Sequence, residues 1–177
     1  MLSHRYLHGP AVDQLLADEQ VHWDAANGDT ITDALLWALS DNLGTVRDLA
    51  EYVPPSPSAP NGEARIVNHR TYDAFGQVLS ELDPATNAAA TLTTPFAFTG
   101  RELDSETGLY FYRARYYDPA TGRFLSEDPI ADDEQNSYRY VGNGPTNATD
   151  PSGLADWFHE FFIGKETAGQ GKKIVTN

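Results

Sequence analysis

The chain of 177 residues has no cysteine, which removes disulfides, thiolate metal sites and cysteine nucleophiles together. Cations are scarce. Lys and Arg number 12 against 26 Asp and Glu, a net charge of −14. The segment from Ala155 onward carries three lysines and three acids, so the whole excess lies in residues 1–154. An acidic surface of that size repels phosphate backbones and anionic lipid, so this part is not expected to bind nucleic acid. Long apolar runs are also missing: nothing approaches the roughly 18 apolar residues of a membrane span. Met1 to Pro10 lacks the apolar run of a secretory signal, so an export address would lie outside this chain. Metal-ligand spacing is poor. Only His4 and His8 stand four apart, and Gly9-Pro10 after them argues for a strand and turn rather than the helix such a pair needs. Asp132-Asp133-Glu134 lacks the alternating oxygen ligands and turn glycine of a calcium loop and reads as a solvated acidic run. No metal or cofactor is expected.

What remains is a globular balance, 40% apolar and 21% charged, enough for one main domain with a core. The pattern predicts a mainly β fold built from hairpins. Tyr6 to Ala17 reads as strand, Gly-Pro turn, strand, and residues 24–29 supply another turn, with Asn27-Gly28 the pair favoured in tight hairpins. Leu35 to Leu39 fits either a helical face or a strand; the following Asp41-Asn42-Leu43-Gly44 turn decides for strand. Residues 54–62 hold four prolines, which lack the N–H of a sheet ladder, so this stretch is a loop or linker. Arg65 to Arg70 alternates toward the Tyr72–Gly76 turn. Leu109 to Tyr117 is read as one aromatic strand between two Asp…Gly turns. Period-two counting then puts Tyr110, Tyr112, Ala114 and Tyr116 on one face and Leu109, Phe111, Arg113, Arg115 and Tyr117 on the other. Arg113 and Arg115 could hold carboxylates, but their shared side of such a strand is expected to be solvated or ion-paired. The aromatic-Asp turn occurs at Tyr72–Gly76 and again at Tyr117–Gly122, either as a repeat of hairpins or as ordinary turn chemistry.

Near the end stand two Asp-Pro turns, Asp128-Pro129-Ile130-Ala131 and Asp150-Pro151-Ser152-Gly153-Leu154, with eighteen residues between the tetrads. Asp-Pro alone is a turn former, and it also occurs at Asp83-Pro84 and Asp118-Pro119. The order of motifs says more. Tyr72-Asp73-Ala74-Phe75-Gly76, Phe98-Thr99-Gly100-Arg101-Glu102-Leu103-Asp104, Arg113-Ala114-Arg115-Tyr116-Tyr117-Asp118-Pro119, Gly122-Arg123-Phe124-Leu125 and the two Asp-Pro turns resemble the RHS repeat-associated core domain of RHS/YD-repeat proteins. Arg5-Tyr6-Leu7 and Asn42 to Arg47 resemble that family's upstream hairpins.

The resemblance implies a shell of β-hairpins ending in a C-terminal plug. It divides the chain into hairpins over 1–53, the Pro-rich loop 54–62, a core over 63–154 and a short helical or disordered tail over 155–177. It further implies an aspartyl-type self-cleaving activity, with Asp128 and Asp150 as the pair, Pro129, Pro151 and Gly153 supporting the motif, and the bond Leu154-Ala155 as the cleavage site. The expected partners are an upstream RHS shell, on this or another chain, and the chain's own C-terminal segment. A cognate immunity protein belongs to such systems, although no feature here points to one. The expected location is secreted or cell surface.

Ala131 stands where the family motif has glycine, which would strain a turn needing positive φ. Two close carboxylates do not both ionise readily, so one would keep a proton while the other acts as base; the sequence does not say which. The tail, with Trp157, Phe158, Phe161 and Phe162 at helical spacing, is too short for a domain of its own. Two alternatives stay open. One is a non-catalytic hairpin scaffold that keeps the motif as a turn, or a degenerate remnant of an RHS cell-surface or toxin protein; the other is sugar binding by the tyrosine-rich strand.

Overall fold

The computed structural model describes residues 2–57, 59–130 and 136–154. The expectations for Ala131, Asp132-Asp133-Glu134, Ala155 and the aromatic tail from Trp157 lie outside the described residues. Within them the protein is mostly β and wholly antiparallel. Seven strands form one meander in chain order: β1 Leu2–His8, β2 Leu15–Asp24, β3 Asp29–Ser40, β4 Val46–Val53, β5 Glu63–Tyr72, β6 Val78–Asp83 and β7 Ala88–Ala89. A second sheet holds β8 Glu102–Asp104, β9 Leu109–Tyr112, β10 Arg115–Asp118 and β11 Arg123–Phe124. Among the described residues no helix is long and apolar enough to cross a membrane.

Turn chemistry accounts for the meander. Asp24, Asp41, Asp73, Asp83, Asp104 and Asp118 each accept the backbone N–H two residues on, the Asx turn that short carboxylates favour. The Pro-rich stretch closes the β4–β5 hairpin, with Val53 opposite Glu63 and a small turn between Ser56 and Ala59. Asn27-Gly28 does not make a two-residue turn: Asp24 pairs with Asp29 across four residues, and Gly28 takes the left-handed position at the end of that loop.

One sequence expectation fails in an informative way. Leu109–Tyr117 is two strands, because Tyr112 pairs with Arg115 across the two-residue turn Arg113-Ala114. The turn sets Arg113 at φ 61 and shifts the face parity of everything after it. Tyr110, Tyr112, Tyr117 and Arg115 are therefore buried together, while Phe111 and Tyr116 face outward. Three of the tyrosines are wholly inside, and Phe111 and Tyr116, with ring centroids 5.5 Å apart, are the aromatic pair this hairpin leaves at the surface.

The two sheets share an aromatic core. Phe98, Tyr110, Tyr112, Tyr117, Phe124 and Tyr140 pack as one cluster with ring centroids mostly 4.6–6.3 Å apart, in tilted and edge arrangements. Their hydroxyls are tied off, as buried polar groups must be. Tyr110 donates to the Gly76 carbonyl and Tyr117 to that of Phe75, both at 2.8 Å, so the tyrosines of one sheet grip the β5–β6 turn of the other. Tyr112 donates to the Tyr140 hydroxyl at 3.0 Å and lies 2.7 Å from Thr99 Oγ1. Between the sheets, residues 92–96 cross the inner face of the meander. There Gln20, Asn68 and Arg70 donate to the carbonyls of Thr93, Leu92, Thr94 and Phe96.

Candidate functional site

The last described segment, residues 136–154, runs back over the small sheet. Phe124 N–H donates to the Tyr138 carbonyl at 2.9 Å, Tyr140 enters the aromatic core, and the chain then turns at Asp150 onto the β9–β10 hairpin. Gly153 makes that docking feasible. Its φ is +70°, and a Cβ there would overlap the Tyr112 carbonyl oxygen and lie 3.2 Å from the Arg115 nitrogen. Ala114 N–H, at the tip of the β9–β10 turn, donates to the Ser152 carbonyl at 3.3 Å.

Both Asp-Pro turns repeat the Asx device seen elsewhere, but their surroundings differ. Asp128 Oδ1 accepts the Ile130 N–H at 3.0 Å, and Asp128 N–H donates to the Ser137 carbonyl at 3.0 Å, closing the intervening loop at its base. Asp150 Oδ1 is wrapped by the N–H groups of Ser152, Gly153 and Leu154 at 3.2, 2.8 and 3.2 Å, and by the Ser152 hydroxyl at 3.1 Å. The Asp128 side chain is 8% exposed and that of Asp150 is 0% exposed.

Between them lies Arg115. Its Nη2 is 2.9 Å from Asp128 Oδ2 and 3.6 Å from Asp150 Oδ2, so a single guanidinium nitrogen faces both carboxylates. The same side chain donates through Nε to the Gly153 carbonyl and through Nη1 to that of Ser137, at 2.9 Å for the latter, and its carbon sits 3.7 Å over the Phe124 ring. Burial lowers the Arg115 pKa, and Asp128 and Asp150 partly offset this. Of the sequence readings of Arg115, the solvated one fails, while holding carboxylates in an ion pair is what the structure shows; the parity shift at Arg113-Ala114 carries the side chain inward. Arg113 does lie at the surface, on the other side of the turn. A signal was present in the sequence: an arginine carried into a tyrosine-rich core has to bring carboxylates with it.

Chemically the arrangement offers two carboxylates, one cation to balance them, and a grip on the backbone at the residue before the Leu154-Ala155 bond. Leu154 is half-buried, and Pro129 and Pro151 are exposed at the turn corners. Three histidines are engaged elsewhere: His4, His22 and His69 pair with Asp18, Asp33 and Asp48. Among the described residues no three His, Asp or Glu side chains converge to hold a metal.

No family model matches the chain. Known proteins do. Toxin subunit YenC2 of Yersinia entomophaga is 33% identical over 141 residues, spanning 77% of this chain and 13% of YenC2. Toxin protein Tse5 of Pseudomonas aeruginosa is 48% identical over 61 residues, spanning 34% of this chain and 5% of Tse5. Among solved structures, the crystal structure of TcdB2-TccC3 superposes with a TM-score of 0.60 at 26% identity, covering 86% of this chain and 7% of the other. The chain is thus similar in sequence and fold to components of toxins, in keeping with an RHS-type resemblance. It spans 13% or less of the length of these relatives.

Proposed function

We propose that residues 63–154 form a self-cleaving core module that hydrolyses the Leu154-Ala155 bond and releases residues 155–177. Asp128 and Asp150 are the acid–base pair. One carboxylate takes a proton from a water whose oxygen attacks the Leu154 carbonyl carbon. The other gives a proton to the Ala155 nitrogen as the C–N bond breaks, leaving a Leu154 carboxylate and a free amine. Either aspartate can take either role, since both carboxylates face the same guanidinium nitrogen. Arg115 holds the two together, and the cis tether replaces a substrate cleft, because a bond four residues from Asp150 is already at high effective concentration. The observation that carries this reading is the convergence of both aspartates on Arg115 Nη2 with Asp150 Oδ1 accepting the Leu154 N–H.

In this reading the chain works beside an upstream RHS shell, as the size of its relatives supports, and in a secreted or cell-surface setting. The test is the intact mass of the N-terminally tagged chain beside Asp128→Asn and Asp150→Asn. Loss of the mass of Ala155–Asn177 in the wild type alone is the expected result, and an equally intact wild type after long incubation sinks the proposal. An Ala131→Gly chain then shows whether the departure at that position is the cause.

A second reading is a non-catalytic hairpin scaffold. The six other Asx turns favour it, since the same device there serves only to turn the chain. The two readings separate on the mass measurement.

A further inference from the structure

We infer that Asp13, in the loop between β1 and β2, and Arg113, at the tip of the β9–β10 turn, are positioning residues for the cleavage loop. Through them, self-cleavage depends on the first hairpin being seated against the core. The inference rests on the self-cleavage reading above and adds a requirement that the Asp128–Arg115–Asp150 cluster does not contain.

Asp13 is far from the site in sequence and next to it in space. Its carboxylate takes two guanidinium groups: Arg113 Nη2 donates to Oδ1 at 2.6 Å, and Arg101 Nη2 donates to Oδ2. Both arginines also donate to one further acceptor, the Pro151 carbonyl oxygen. Three segments, around residues 13, 101 and 113, therefore meet on the peptide between Pro151 and Ser152. In a trans peptide the C=O and N–H point in opposite directions. Pinning the Pro151 oxygen from one side aims the Ser152 N–H at the other, where Asp150 Oδ1 accepts it at 3.2 Å. The clamp thus sets the orientation of the peptide that begins the wrap around Asp150, and the Gly153 and Leu154 N–H groups follow in register.

The backbone is shaped for this meeting. Asp13 and Arg113 both hold positive φ, 58° and 61°, an arrangement non-glycine residues keep only when surroundings impose it. Gly100, at φ +71°, is the seat: a Cβ there would overlap the Asp13 carbonyl oxygen. Arg101 is 6% exposed, Asp13 13% and Arg113 50%, so the clamp spans from core to surface and its outer arm can be changed without opening the core.

The consequence is a link between assembly and chemistry. Asp13 reaches the two arginines only when β1 and β2 are paired and their loop lies on the small sheet. An undocked first hairpin would leave two cations beside the Pro151 carbonyl without their carboxylate, and the Asp150 loop loosely held.

The experiment uses the full tagged chain with Asp13→Asn, Arg113→Gln and the double variant. Cleavage half-times come from intact mass, and thermal midpoints show that each variant folds. Each single variant is expected to slow cleavage on the order of ten- to hundred-fold, the range a small misplacement costs, and the double to be no slower than the worse single. A second arm, on the uncleavable Asp128→Asn chain, follows amide exchange. Asp13→Asn or Arg113→Gln should speed exchange at Ser152, Gly153 and Leu154 while β9 and β10 stay protected, a local signature that general loosening would not give. Wild-type cleavage rates in the variants, or exchange at 152–154 unchanged, overturns the inference. An uncleaved wild type overturns the self-cleavage reading, and the exchange arm then decides by itself whether the clamp holds the loop.

Discussion

Replacing Arg115 with methionine should cost this protein more than any surface charge change. The arginine side chain is 2% exposed and its two carboxylates are 8% and 0% exposed, so removing the cation leaves two buried carboxyl groups without the countercharge between them. Methionine keeps much of the length and packs on the Phe124 face, which leaves the charge as the main thing lost. Three donor roles go with it, those to the Gly153 and Ser137 carbonyls and to Asp128. Removing one partner of a buried pair costs about 3–5 kcal/mol. At about 2–4 °C per kcal/mol for a chain of this size, Tm should fall by roughly 6–20 °C. Urea denaturation at pH 7 measures the loss, with intact mass read on the same samples so that cut and uncut chains are compared separately. Adding Asp128→Asn removes one stranded charge, so the double variant should regain more than about 1 kcal/mol, the scale of coupling between residues in one network. Arg115→Lys should not rescue, since one ammonium cannot span acceptors that a planar fork reaches from three nitrogens. A methionine variant within about 1 kcal/mol of wild type, or a double variant that is merely additive, would refute the claim that Arg115 neutralises a buried pair.

Two further outcomes follow from local geometry. Gly153→Ala places a Cβ against the Tyr112 carbonyl at a left-handed φ, so it should cost at least about 1–2 kcal/mol, stop cleavage, and speed amide exchange at Leu154; a wild-type urea midpoint and exchange rate would contradict it. Burial raises the Tyr72 pKa from its ordinary 10.0 to about 12, and raises those of Tyr110, Tyr112 and Tyr117 as well. The folded chain therefore holds these protons longer than the unfolded one: the contribution to stability is complete below pH 10, and it is lost as pH climbs through 12. The phenolate absorbance of these four tyrosines should appear only together with loss of the far-UV circular dichroism, and ionisation of all nine tyrosines with the sheet intact would be contrary evidence.

The strands and the turns were legible where the chain uses residues with one dominant local habit. Asp41, Asp73, Asp104 and Asp118 announce turns because a short carboxylate can cap the N–H two residues on, and each does so. Leu35 to Leu39 resolves as strand because a hairpin turn follows at once. The Arg113-Ala114 turn was not legible, because neither residue favours it. Tertiary contacts hold it: Asp13 binds the arginine, and the Ser152 carbonyl takes the alanine N–H. Missing that turn inverts the face assignment of Arg115, Tyr116 and Tyr117, and with it the environment of Arg115. The aspartates of the candidate site could be found from the motif; the cation between them and the clamp behind Pro151 depend on chain segments that only folding brings together.

The contrast between the Asx turns bears on how chemistry could arise in such a fold. Eight aspartates use the same local device, each accepting the N–H two residues ahead, and six of these turns lie away from Arg115. The local turn is therefore not what would make Asp128 and Asp150 reactive. What separates them is that both are buried on one guanidinium, with the Asp150 loop pressed into the β9–β10 turn through Gly153, where there is no room for a side chain. Asparagine at Asp73 or Asp118 should preserve any cleavage, because it keeps an acceptor for the turn. Asparagine at Asp128 or Asp150 keeps the same turn and should abolish cleavage. The intact masses of those four variants, taken together, separate an effect of losing the turn from an effect of losing the acid.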